Sequence, residues 1–402
     1  MPVRLDKVPA LATRSARPRF WLWLGLLLLC LLLGVGGSLL FADEPLHQQP
    51  VEFWNWALGI PFLGWCALAF SRLLLHVGEQ SAADGWDEAR EEDMIRKIRQ
   101  GRRSQQVLAV NVYTSLQDPA TGEVCPLKAL LSGADPVQAP SSHSRSYGGS
   151  DEDPEAVLLK VLTQGLADLA PTLKQLPDDK PLALLLEVDC KLPPAQWRPA
   201  WQQAWRDSGI RQSPVSVEGS GLAAVDHWLD QRINDQALLL VLAVQFAPRE
   251  PEGAPEVAMS LLLGNRLTQA TLAPIAYLHR PEQEREPTDV DLLYATRQAL
   301  DWVPLQAQAI ERIWRVGIDP QRNAAMTTAL MGVPMAVQPP QSLCNLDTLL
   351  GQSGKTAPWL AIAAAAQSIE HGAGPQFIFS GGGVATTRLW STVLMPVSPL
   401  SK

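Results

Sequence analysis

The chain has 402 residues, with 33 Lys and Arg against 41 Asp and Glu and a net charge of −8 at neutral pH. That balance excludes nucleic acid as a partner, because such a partner calls for a basic surface. Its 5 cysteines exclude a disulfide framework, and none has a Cys-x-x-Cys partner or a nearby His at ligand spacing, so neither a metal centre nor any other cofactor is expected.

Residues 1–19 are basic. Residues 20–41 then carry no charge and are rich in Leu. At about 1.5 Å per residue such a helix crosses a hydrocarbon core about 30 Å thick, and its length sets it apart from a cleaved signal peptide. A second apolar run, 53–75, holds only Arg72 as a charge and carries Trp54, Trp56 and Trp65; Pro61 predicts a kink, and the interruptions leave a re-entrant or interfacial helix as the alternative. Arg4, Lys7, Arg14, Arg17 and Arg19 precede the first run. Arg90, Arg96, Lys97, Arg99, Arg102 and Arg103 follow the second, and the connection between the runs holds Asp43, Glu44 and Glu52 but no Lys or Arg. The positive-inside rule therefore predicts a hairpin, residues 20–76, in a bacterial inner membrane with both termini cytoplasmic. Gly34, Gly36, Gly37, Gly59 and Gly64 would let its helices pack closely, on each other or on the helices of a larger membrane complex.

Residues 77–104 mix acids and bases at helical spacings and read as a solvated stalk. The soluble domain is expected over 105–402. Within it, residues 133–155 lack apolar periodicity and predict a long mobile loop, and the spacing of Val157, Leu158, Val161, Leu162, Leu166 and Leu169 predicts an amphipathic helix. Short apolar runs at 182–188, 237–244, 257–263 and 390–397 have the length of strands buried on both faces; alternating with helical patterns, they predict an α/β domain. Trp197, Trp201 and Trp205 fall four residues apart and share one face of a helix that has Pro199 near its start. Such a stripe is either core or a partner-binding ridge.

The most informative passage runs Ser216-Val217-Glu218-Gly219-Ser220-Gly221-Leu222-Ala223-Ala224-Val225-Asp226-His227-Trp228-Leu229, with Asn234-Asp235 and an apolar strand after it. Small residues at a sharp turn lead into a helix whose buried stripe is Leu222, Val225, Leu229 and Ile233. This resembles the nucleophile elbow of the thiolase-like family, the fold of the ketoacyl synthases. Leu349-Leu350-Gly351-Gln352-Ser353-Gly354, the Ala-rich run 361–366, Glu370-His371-Gly372 and Phe377-Ile378-Phe379-Ser380-Gly381-Gly382-Gly383 are similar to the same family's Gly-His loop, Ala-rich helix and closing Gly-rich turn. The resemblance implies a layered α/β domain that dimerises through its central sheet.

It also implies a missing active site. The family holds its acyl chain on a cysteine thiolate and polarises the thioester oxygen with two groups, commonly histidines. Here Glu218 stands at the cysteine position and Gln352 at a histidine position. A carboxylate is a poor nucleophile toward a thioester and would be costly if buried without a partner. Of the histidines, His279 is expected in a charged loop, His227 inside the elbow helix and His371 at a helix end. Ser220 does not stand in G-x-S-x-G, Asp226 and His227 diverge on a helix, and the run 351–356 lacks the first glycine of a P-loop. A pseudo-enzyme is the outcome of this reading.

The layout of a short membrane anchor, a Trp-rich second span and a divergent thiolase-like half is similar to proteins found with lipase effectors of bacterial type VI secretion, some of which are adaptors that deliver a toxin to the spike. That resemblance implies a non-catalytic adaptor, with the cargo effector, spike components and the lipid bilayer as partners and Trp197, Trp201, Trp205 and the loop 133–155 as contact regions. The alternatives are an acyl-transfer enzyme using Cys190 or Cys344, and a structural subunit of a membrane complex.

Overall fold

The computed structural model describes residues 3–41, 50–114, 153–246, 255–335, 343–383 and 387–397. It forms two compact units, residues 4–98 and residues 99–402 with the first three. The expected loop at 133–155 lies outside the described residues except for its last three.

The smaller unit holds α1 (Phe20–Phe41) and most of α2 (Pro50–Gly101), both long and apolar enough to cross a membrane. They run antiparallel: Trp65 Nε1 donates to Trp23 O at 2.9 Å, while a Cβ at Gly34 would collide with Ala57 O and Pro61 Cγ. Gly34 therefore makes the close approach, and Gly36, Gly37, Gly59 and Gly64 have open space beside them. Pro61 offers no N–H to the carbonyl of Ala57, and a π turn over Asn55–Gly59 takes up the mismatch. Residues 9–15, without regular structure, lie along α2 beyond its apolar part. Arg90 Nε donates to Pro9 O at 2.7 Å, Trp86 Nε1 to Ala10 O at 3.1 Å and Gln80 Nε2 to Ser15 O at 3.3 Å.

The larger unit is built from β1 (Ser104–Thr114), α3 (Pro154–Ala167), β2 (Leu182–Cys190), α4 (Pro194–Asp207), β3 (Pro214–Ser216), α5 (Gly221–Gln231), β4 (Leu238–Phe246) and β5 (Val257–Asn265). Then follow β6 (Ala276–His279), β7 (Glu282–Gln283), α6 (Asp289–Asp301), β8 (Arg312–Val316), α7 (Asn323–Met331), β9 (Leu343–Asn345), α8 (Leu346–Leu350), α9 (Ala357–Glu370), β10 (Gln376–Ser380) and β11 (Trp390–Pro396). The strands form one sheet in the order β3-β2-β4-β5-β1-β6-β11-β10-β8-β9, with β7 paired to β11. Each half repeats one pattern: its third, second, fourth, fifth and first strands lie side by side, β7 aside. The fifth runs antiparallel to both neighbours, and the others are parallel. The halves join where β1 pairs with β6, Ser104 opposite His279.

Alternation along the strands explains the uninterrupted apolar runs. Ala183, Leu185, Leu239 and Val241 face a central core that they share with α5, α9, Trp314 and Ile378 of the second half. Leu182, Leu184, Leu238 and Leu240 face an outer core with α3. In the second half Ile313, Phe377 and Val393 face a third core with α6 and α7. The two halves of the sheet thus share a central helix layer and carry further helices on their other faces, the layered α/β arrangement that the resemblance implies.

Two local expectations need correction. His279 is not in a loop but ends β6, 4% exposed, because neighbouring buried charges satisfy one another. Pro194, not Pro199, opens α4, and Pro199 sits inside it. The Trp197, Trp201 and Trp205 face is half-buried and packs on the outer core beside α3, with Trp201 and Trp205 in ring contact at 5.4 Å.

Candidate functional site

The site to be tested lies where β2, β3 and β4 end and α5 and α9 begin. After β3, Val217 N donates to Leu184 O at 2.8 Å, and the chain turns through Glu218, Gly219 and Ser220, all exposed. Gly219 and Gly221 take φ of +109° and +54°, the left-handed region that a side chain disfavours. Glu218 is therefore not a buried carboxylate, and no desolvation cost arises: the turn projects its side chain to solvent. Ser220 is the N-cap residue of α5 but makes no side-chain cap bond.

On the second half, Gln352 is exposed, and its carbonyl accepts from Gln245 Nε2 at 3.1 Å; the same amide nitrogen donates to Pro255 O at 2.9 Å. A Cβ at Gly383 would stand 3.5 Å from Gln352 Oε1, so the Gly-rich turn lies against that side chain. Gly354, at φ +50°, leaves room for Gln245 Oε1 and Asp189 Oδ2, which a Cβ there would meet at 2.9 and 3.2 Å. Ser353 and Thr356 are buried, and Thr356 Oγ1 donates to Ser353 O at 2.7 Å. The structure thus gathers Gln352, Gly354, Gly383, Asp189 and Gln245. Among the described residues no hydrogen bond links Glu218 or Ser220 to Gln352.

Sequence reasoning missed Glu187. Its carboxylate, near the end of β2, accepts from the N–H of Gly221, the first residue of α5, and from Trp359 Nε1 of α9 at 2.8 Å. A negative group at a helix start is favourable, and this one ties the first half's central helix to the second's. Its signal in the sequence is an acid inside the apolar run 182–188.

The remaining candidates are placed away from chemistry. Asp226 is buried and ion-paired with Arg280 at 2.6 Å, whereas His227 is exposed. His371 is exposed, its Nδ1 2.7 Å from Gln367 O. Burial, with the Arg266 charge, holds His279 down at about 4. Cys190 is buried with Sγ 3.6 Å from Leu192 O, and burial pushes the Cys344 thiol up despite Arg312. The setting of Cys344 does not favour a thiolate.

A buried ionic cluster lies at the other end of α5. Arg280, with 0% exposure, reaches Asp226 and, at 2.8 Å, Asp230. It also donates to Gln100 O at 3.2 Å, while Gln100 Nε2 donates to Asp230 at 2.6 Å. Glu282 accepts from Trp302 Nε1 at 2.6 Å, and burial pushes it up to about 7 against that bond and the Arg280 charge.

No family model and no curated protein matches the chain. Solved structures do. The ketosynthase from module 1 of the bacillaene synthase of Bacillus amyloliquefaciens aligns at 11% identity over 74% of this chain and 76% of its own, with a TM-score of 0.51. An oxazolomycin ketosynthase domain of Streptomyces albus covers 73% of this chain and 96% of its own at 12% identity and a TM-score of 0.48. Human mitochondrial 3-ketoacyl-CoA thiolase covers 74% and 99% at 8% identity and a TM-score of 0.47. At such identities the likeness concerns the fold alone: the larger unit has a thiolase and ketosynthase-like fold.

Proposed function

We propose that the protein is a membrane-anchored, non-catalytic adaptor or chaperone that binds a cargo protein, a toxin effector such as a lipase, at the cytoplasmic face for type VI secretion. The observation that carries this reading is the state of the elbow. It presents an exposed carboxylate, Glu218, where thioester chemistry needs a thiolate, and the first N–H of its helix is already bound by Glu187. Membrane anchoring draws support from the antiparallel pair α1 and α2. The contacts of residues 9–15 with α2 put the segments flanking the two apolar stretches side by side, which favours one side of the membrane for both. Their Lys and Arg favour the cytoplasm.

The half-exposed Trp197, Trp201 and Trp205 face and the segment 133–155 are the proposed cargo contacts. β3 ends the sheet with Val215 63% exposed, an edge suited to pairing with a second copy.

An affinity pull-down of the intact protein from native membranes, read by mass spectrometry, tests the reading. An effector recovered with spike components supports it, and no specific protein overturns it. Acyl carrier protein or bound acyl chains would favour an acyl-transfer enzyme, whose thiol is identified by labelling with an acyl-thioester mimic that Cys190→Ser or Cys344→Ser abolishes. The open faces at Gly36, Gly37, Gly59 and Gly64 favour a second reading, a structural subunit packed on other membrane helices.

A further inference from the structure

The segment before α1 is held on α2 in an unusual way. Six steps of chain, from Pro9 to Ser15, run antiparallel to the stretch of α2 between Arg90 and His76, about 15–20 Å of helix, which is the rise of an extended peptide. Most of the holding bonds go to its backbone: the carbonyls of Pro9, Ala10 and Ser15 accept from Arg90, Trp86 and Gln80, and the N–H of Ala12 donates to Asp87 Oδ1 at 2.9 Å. Among the described residues, two side chains add to this. Arg14 lies 2.9 Å from Asp84 and 3.4 Å from Asp87, and Ser15 Oγ lies 3.2 Å from His76 Nδ1.

Backbone groups are common to every peptide, so this face of α2 reads an extended conformation with one cation at a set place, and little else. The hold is also weak in kind. The Arg14 pairs are solvent-exposed and of the class that contributes little, and Leu11 remains 64% exposed and buries little apolar surface.

We propose that this strap is exchangeable, and that the α2 face of His76, Gln80, Asp84, Trp86, Asp87 and Arg90 is a docking surface for an extended segment of a partner protein carrying an arginine opposite Asp84 and Asp87. The identity of that partner as a delivered cargo rests on the adaptor reading; the surface itself does not. In the resting chain the strap occupies the face in cis, at an effective concentration of order millimolar, and keeps weak or wrong segments off.

The experiment uses the full chain in lipid nanodiscs and a fluorescent peptide with the sequence of residues 5–16, followed by anisotropy. Arg14→Glu in the chain sets a like charge against Asp84 and Asp87 and frees the strap; this variant is expected to bind the peptide at least tenfold more tightly than the unaltered chain. Adding Asp84→Asn and Asp87→Asn should then weaken binding at least fivefold. Trp86→Phe, which removes the donor to Ala10, serves if Arg14→Glu does not fold, and should likewise loosen the strap, read as faster amide exchange at Ala12. Equal binding by the unaltered and freed chains, binding by neither, or equal binding to protein-free nanodiscs overturns the proposal. A cargo recovered in the pull-down while the peptide fails to bind removes the docking surface and leaves the adaptor reading standing; the converse result removes the adaptor reading alone.

Discussion

The two halves of the soluble domain thread their strands in the same order and differ in the helix that each sends to the middle. α5 of the first half buries Leu222, Val225, Trp228 and Leu229 but leaves Ala223 and His227 exposed; α9 of the second is buried without interruption from Ala357 to Ala366. α5 is thus an ordinary amphipathic helix with one free side. α9 is encased, and Ala at 361 and 363–366 lets the two halves of the sheet close on it at the density of a protein interior. One topology therefore supports two sequence grammars, set by how many neighbours the helix has.

The halves are also held together asymmetrically, and the largest expected effect lies there. Arg280 of the second half neutralises Asp226 and Asp230 of the first. Arg280→Met takes the closest cation from both acids, leaving Asp230 the longer 4.0 Å approach of Arg103, and should cost about 3–5 kcal/mol, seen as a large drop in thermal midpoint of the full chain in detergent; an unchanged midpoint would break the claim that this cluster joins the halves.

Glu282 provides a pH-dependent test. Its carboxyl is raised from 4.5 to about 7 by burial, so its contribution is fully present below about pH 4.5 and is lost as pH rises through about 7. The loss amounts to at most about 3 kcal/mol. Glu282→Gln should remove that loss, so its midpoint relative to the unaltered chain should climb between pH 5 and 8. His279 acts in the opposite sense: held down at about 4, it contributes above about pH 6.5 and loses that contribution as pH falls through 4. The difference between variant and parent cancels it.

The contrast between the central helices is sharpened by adding the same atoms to each. Ala364→Leu in α9 should cost about 1–3 kcal/mol through overpacking, whereas Ala223→Leu on the free side of α5 should stay within about 0.5 kcal/mol; equal effects would mean that α5 is covered too. Two changes at the elbow complete the series, and the second has the smallest effect of all. Glu187→Gln, whose amide nitrogen cannot accept and so removes one of two hydrogen bonds, should lower stability by about 1 kcal/mol, and Glu218→Gln should leave the unfolding curve where it was.

Much of this fold was legible because burial on both faces of a sheet writes a distinctive run: Leu182 to Leu185 and Leu238 to Val244 admit no polar residue. The stripe of α5 was legible for the same reason at a different period. What was not legible depends on partners distant in sequence. His279-Arg280-Pro281-Glu282-Gln283-Glu284 reads as a solvated loop, yet Arg280, Glu282 and Glu284 are buried, each answered by Asp226, Trp302 or Arg322 from another element. Glu187 was overlooked because its partners are 34 and 172 positions away. Glu218 was aligned with a buried nucleophile, and whether a turn faces in or out is decided by the surrounding layers and not by the turn's own residues.

The position of β1 bears on how the chain is made. This strand opens the domain at Ser104, just after Gly101 ends α2, yet it pairs only with β5 and β6. On a ribosome adding 5–20 residues per second, those partners emerge on the order of 150 residues, or about 10–30 s, later. Throughout that interval the first strand of the domain to be synthesised has both edges unpaired. The order of synthesis therefore exposes this domain to mispairing at its very first strand, and slowing translation or depleting a holding chaperone should be felt there before anywhere else.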